Sequence, residues 1–105
     1  MTRSDAWDLF SEFNKDAFHI EHAKTVEGVM RYFAVQEGFG GEAEFWGNVG
    51  LLHDLDFEQY PREHCIKQQE IMRQRGVDEK IIHATCSHGW KLTVDIEPVH
   101  RLEKI

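Results

Sequence analysis

The residues best equipped for chemistry in this chain are His53 and Asp54. They close the stretch Phe45-Trp46-Gly47-Asn48-Val49-Gly50-Leu51-Leu52, which is too apolar to carry two ionisable groups without a reason. Setting a carboxylate and an imidazole side by side in such surroundings is costly unless something pairs with both. A divalent cation does so, since it takes a neutral imidazole and an ionised carboxylate together. His22, His64 and His88 each fall on a segment patterned as a helix, on or near its apolar face. The expectation is a metal site inside a small helical bundle, built from inward side chains on facing helices. A mixed imidazole and carboxylate set suits a hard or borderline ion with open positions, such as manganese, iron, zinc or magnesium. A structural zinc site would draw on thiolates and be closed.

The elements that must position these groups are marked by glycines and caps. Ser4 is an N-cap candidate for a first helix to Asn14, with Trp7, Phe10 and Phe13 at helical spacing. A second helix from about His19 to Gln36 carries His22, Ala23, Val26, Met30 and Phe33, and Gly38-Phe39-Gly40-Gly41 ends it. A third, from about Glu42 to His53, places Trp46, Val49, Gly50 and His53 on one face, so His53 points inward at its end. Leu55 to Glu58 reads as a loop leaving the site. Pro61 fits the first turn of a fourth helix carrying His64, Gln68, Ile71 and Arg75 and stopping at Gly76. Asp78 caps a fifth, with Ile81, Ala84, Thr85 and His88 on one stripe and Gly89 closing it. Pro98 can open a sixth through Leu102 to Ile105. The nearest approach to a strand is Lys91 to Ile96, which is short. The class is therefore all-α, a compact bundle of five to six helices.

Composition narrows the function classes. The chain has 105 residues, which makes one domain, and 41% of them are hydrophobic, enough for a modest core. A formal charge of −7 argues against a broad nucleic-acid-binding face. It leaves room for a single phosphorylated molecule, because a bound metal supplies local positive charge. Seven histidines in so short a chain is an excess that wants an explanation. Cys65 and Cys86 form no C-x-x-C pair, so a thiolate zinc site is not indicated, and both read as semi-buried thiols. No apolar run reaches the roughly 18 residues of a membrane span, and no signal-peptide pattern opens the chain, so a cytoplasmic location is expected.

Other polar residues carry milder readings. His19, His83 and His100 fall outside the pattern and read as solvated or structural; Asp56 and Glu58 read as loop caps. Arg62 and Lys67 flank His64 and could meet a phosphate, although charged helix faces are usually only solvated. Trp90 could wall a pocket or pack in the core.

Several segments taken together resemble the HD-domain superfamily of metal-dependent phosphohydrolases, and within it a small single-domain branch. They are Glu21-His22-Ala23, the run Trp46 to Glu58 containing His53-Asp54, Tyr60-Pro61-Arg62-Glu63-His64, and Ser87-His88-Gly89. The likeness spans nearly the whole chain from Ala6 to Ile105. It implies that His22, His53 and Asp54 hold a first metal ion, that Asp54 bridges where two ions are bound, and that His64 and His88 serve the second. His53 and Asp54 would be the catalytic core. The implied reaction is hydrolysis of a small phosphate ester or nucleotide by metal-activated water, with Glu63 as a carboxylate that orients an imidazole. The family's last metal-binding Asp would lie beyond Ile105. The resemblance thus implies a bundle lacking part of a helix, exposed apolar surface and a homodimer covering it. The rival expectation is a catalytically inactive fold that binds a metal, a nucleotide or a partner.

Overall fold

The computed structural model describes residues 1–87 and 101–104. Five α-helices run in order: α1 Arg3–Phe13, α2 Ala17–Gln36, α3 Ala43–Leu52, α4 Ile66–Gln74 and α5 Glu79–Cys86. Short 3₁₀ turns occupy Gly40–Glu42, Pro61–Glu63 and Arg101–Lys104. Among the described residues there is no strand, so the all-α class holds. The expected sixth helix is represented there only by the last of these turns. His88, Gly89, Trp90, the strand-like Lys91–Ile96, Pro98, His100 and Ile105 lie outside the described residues. Among the described residues no helix is long and apolar enough to cross a membrane.

Helix α3 is the axis of the bundle. Every residue from Trp46 to Leu52 is buried, as a helix apolar all round requires. One side meets Leu9, Phe10, Met72 and Ile82 in the main core; Trp46 and Val49 join Ala34, Ala84 and Leu102 in a second. Its most extensive partner is α2, and glycine sets how near the two come. A Cβ at Gly50 would lie 2.7 Å from the Val26 carbonyl oxygen, and one at Gly47 would lie 2.5 Å from Arg31 Nε. The Gly50 neighbour is backbone, so it has no rotamer with which to retreat.

The helix starts refine the sequence reading. α1 is capped by Thr2, not Ser4: the Thr2 hydroxyl accepts from the Asp5 amide while Asp5 reaches back to the Thr2 amide. Asp16 caps α2 and Asp78 caps α5, the latter as expected. Glu58 does act as a loop cap, accepting the amides of Lys15 and Asp16 at 2.9 and 2.8 Å and so fixing the α1–α2 connection. Glu27, unremarked in the sequence, is buried on α2; Arg3 grips it at 2.9 and 3.1 Å, and Arg31 lies 3.6 Å away. Its carboxyl is held below the usual range, first by the Arg3 hydrogen bond and against the opposing effect of burial.

The segment after Pro61 departs most from expectation. A continuous fourth helix from Pro61 through His64 does not form. Pro61–Glu63 makes one 3₁₀ turn, and Cys65 then takes φ 71°, in the left-handed region. An L-residue there breaks the helix, so α4 begins only at Ile66 and His64 stands in the break.

Gly50→Ala should therefore cost about 1–3 kcal/mol, since α2 must shift to admit the methyl group. Gly28→Ala, on an exposed turn of α2 with nothing within 4 Å of the added atom, should gain about 0.5–1 kcal/mol from helix propensity. Urea unfolding of the two variants beside the parent measures both signs.

Candidate metal centre

Three histidines from three parts of the fold converge on one carboxylate. His22 comes from the second turn of α2, His53 and Asp54 follow α3, and His64 comes from the break before α4. Asp54 Oδ2 lies 3.1 Å from His53 Nε2 and 3.4 Å from His22 Nε2; Asp54 Oδ1 lies 3.0 Å from His64 Nε2. Ligand atoms of His22, His53 and Asp54 all fall within 4.8 Å of one another. Donors on one cation, bonded at about 2.0–2.2 Å, are spread over a comparable span. His64 stands outside this trio, on the other oxygen of Asp54. Four of the five expected ligands are thus brought together, and the fifth, His88, lies outside the described residues.

Two of the imidazoles are oriented from behind. His53 Nδ1 lies 2.6 Å from the Gly50 carbonyl oxygen, an acceptor only, so Nδ1 carries the hydrogen and Nε2 faces Asp54. His64 Nδ1 donates to Asp56 Oδ1 at 2.5 Å. Asp56 is fully buried, and its other oxygen accepts the Gln68 amide of α4 at 2.8 Å. It therefore caps a helix and fixes an imidazole at once. The orienting carboxylate is Asp56, not Glu63, which is exposed and pairs with Lys67. A signal existed in the sequence, a second Asp two residues after the doublet with a His eight further on. It decides nothing until the turn folds that Asp inward.

The electrostatics follow from crowding carboxylates and imidazoles in an apolar setting. Burial works to lower the His64 pKa, but hydrogen bonds to Asp54 and Asp56 outweigh it and push the value up to about 9. Burial works to raise the Asp54 pKa, yet hydrogen bonds from His53 and His64 hold it well below the usual carboxylate range. Without metal, an imidazolium at His64 bridges two carboxylates. These donors fit a divalent cation: imidazole Nε2 atoms turned inward, an ionised carboxylate between them, and hydrogen-bond partners fixing the tautomers.

His22 is exposed and opens the site to solvent, contrary to the inward placement expected of it, and aromatic rings lie beside the cluster. The exposed Phe18 ring stacks over His22 with centroids 6.5 Å apart, and Phe57 meets His64 edge-on at 5.4 Å. A cavity of about 240 Å³ opens beside His53, lined by Val26, Met30, Trp46 and Val49 among others. Lys67 pairs with Glu63 and Glu70 and lies over Tyr60, as a charged residue on a solvated helix face does. His19 contacts Phe18 and Phe57, and His83 pairs with Glu103 at 2.9 Å, both consistent with structural roles. Cys65 and Cys86 are fully buried thiols, more enclosed than expected and not joined as a disulfide. No family model matches the chain, and no curated protein or solved structure matches it.

Metal-free protein should be most stable between about pH 4 and 6.5, with Asp54 ionised and His64 protonated. Stability should fall as pH rises from 6.5 toward 9 and His64 loses the proton that the folded state favours. It should also fall below 3.8, where the unfolded Asp54 binds protons that the folded state resists. Urea midpoints across pH test this, and Asp54→Asn should flatten the alkaline limb. In addition, Asp56→Asn sets an amide donor against the Gln68 amide or His64 Nδ1; calorimetric titration with manganese or zinc should show binding weakened about 10- to 100-fold.

Proposed function

We propose that this chain is a metal-dependent phosphohydrolase of the HD type, acting on a small phosphate ester or nucleotide. The observation that carries the reading is the convergence of His22, His53 and His64 on the single carboxylate of Asp54, two of them pre-oriented by the Gly50 carbonyl and by Asp56. Well-packed apolar residues at the same positions often stabilise a fold as well as or better than a buried charge cluster, which supports reading the cluster as functional.

In this reading His22, His53 and Asp54 hold a divalent cation, with His64 beside the other carboxylate oxygen. Bound there, the cation supplies Lewis acidity and brings the pKa of a coordinated water toward neutrality. Asp54, ionised at any physiological pH, keeps the site anionic for the cation and accepts hydrogen bonds from what lies against it. His64, as imidazolium, would donate from Nε2 to a phosphoryl oxygen or to Asp54. The 240 Å³ cavity beside His53 admits the apolar part of a small substrate and restricts water.

The test is elemental analysis of chelator-free protein combined with a phosphatase screen on phosphate monoesters and nucleotides. About one or more divalent ions per chain and manganese-dependent phosphate release are expected, both lost in Asp54→Ala. Phosphate release that survives Asp54→Ala would refute the assignment. Metal binding without hydrolysis of any phosphate ester would leave a metal-binding fold without catalysis.

A further inference from the structure

Two cysteines behind the site are placed as a pair. Cys65 follows His64 directly, and Cys86 closes α5. Both side chains are fully buried. The Cys86 thiol reaches the Cys65 residue itself, donating to its carbonyl oxygen. Cys86 Sγ lies 3.7 Å from that oxygen, from Gln68 Nε2 and from Thr85 Oγ1. Helices α4 and α5 pack together.

The pair is wired to the candidate centre. Gln68 gives its backbone amide to Asp56 and its side-chain amide to Cys86. Asp56 in turn holds His64, and Cys65 shares a peptide bond with His64. A disulfide bond of about 2.05 Å is much shorter than the 3.7 Å contacts Cys86 Sγ makes here, so oxidation must draw the two residues' side chains together. Cys86 sits in the last turn of α5, whereas Cys65 sits in the helix break at φ 71°, a conformation unfavourable for a side-chain-bearing residue. Cys65 is bonded directly to His64, so any shift of Cys65 on oxidation would reach His64.

We propose that Cys65 and Cys86 form a reversible oxidation site, in which a peroxide joins them as a disulfide and draws His64 away from Asp54. One sulfur attacks a peroxide oxygen; the O–O bond breaks, water leaves, and that cysteine becomes a sulfenic acid. The second sulfur then displaces the hydroxyl as a second water, leaving the S–S bond. The thiols lose two electrons and two protons, and the peroxide is reduced to two waters. A dithiol reductant reverses the reaction by thiol–disulfide exchange. Hydrogen peroxide is close to water in size and reaches buried sulfur through local opening of the α4–α5 pair. The site does not depend on the proposed phosphohydrolase reading, because the pair and its link to His64 are present without metal.

The experiment uses metal-free full chain treated with hydrogen peroxide, followed by non-reducing peptide mapping and by the ring-nitrogen NMR shifts of His64. The expected result is a Cys65–Cys86 crosslink in most chains, joint loss of both thiols to alkylation, and displaced His64 shifts, all restored by dithiothreitol. Cys86→Ser should form no crosslink and keep its His64 shifts under peroxide. Should that variant fail to fold, the parent protein decides alone: dithiothreitol must return both thiols and the original His64 shifts together. Thiols that survive peroxide, separate sulfinic acids without a crosslink, or a crosslink that leaves His64 unmoved would each overturn the proposal.

Discussion

The closest approach of α2 to α3 at Gly50 is the constraint on which the rest of this structure depends. The Val26 carbonyl occupies the space a Cβ would need, so the two helices come nearer than any other residue at 50 would permit. That approach brings His22 on α2 within 3.4 Å of Asp54 just beyond α3. Gly50 also supplies the carbonyl that takes the His53 Nδ1 hydrogen and turns Nε2 inward. One residue thereby sets both the helix spacing and an imidazole tautomer. The Glu27 carboxylate, gripped by Arg3 and Arg31, ties α1 to the same contact from the other side.

Around Asp54 the balance of charge is tight. Asp54 and Asp56 are two residues apart, and Asp56 is wholly buried, so like charge would accumulate there without an intervening cation. In the metal-free fold the protonated His64 is that cation, which is why its pKa climbs to about 9 despite burial. Folding and the protonation of His64 are therefore linked.

The path from sequence to site is uneven, and the reasons are physical. α2, α3 and α5 are legible because their apolar residues repeat at helical spacing over two turns or more, and burial of Ala23, Trp46 and Ile81 follows from it. The first cap is ambiguous because Thr2 and Ser4 are both good caps, and only the reciprocal Thr2–Asp5 bonds choose Thr2 over the expected Ser4. The break at Cys65 leaves no mark in the pattern, since neither Gly nor Asn announces its left-handed backbone. Asp56 reads as a loop cap, and half of that is right: it caps α4 through Gln68, while its other oxygen serves His64.

By itself the sequence determined the all-α class, the helix-ending glycines Gly38 and Gly76, and the side chains His22, His53, Asp54 and His64 whose chemistry suits a metal. Those properties are local, fixed by periodicity, backbone freedom and side-chain chemistry. The tertiary structure decided which of the histidines face Asp54, which carboxylate stands behind His64, and that Cys65 and Cys86 touch. Contacts between residues far apart in the chain depend on helix spacing and on how the turn after α3 folds inward, and neither is encoded in any single segment.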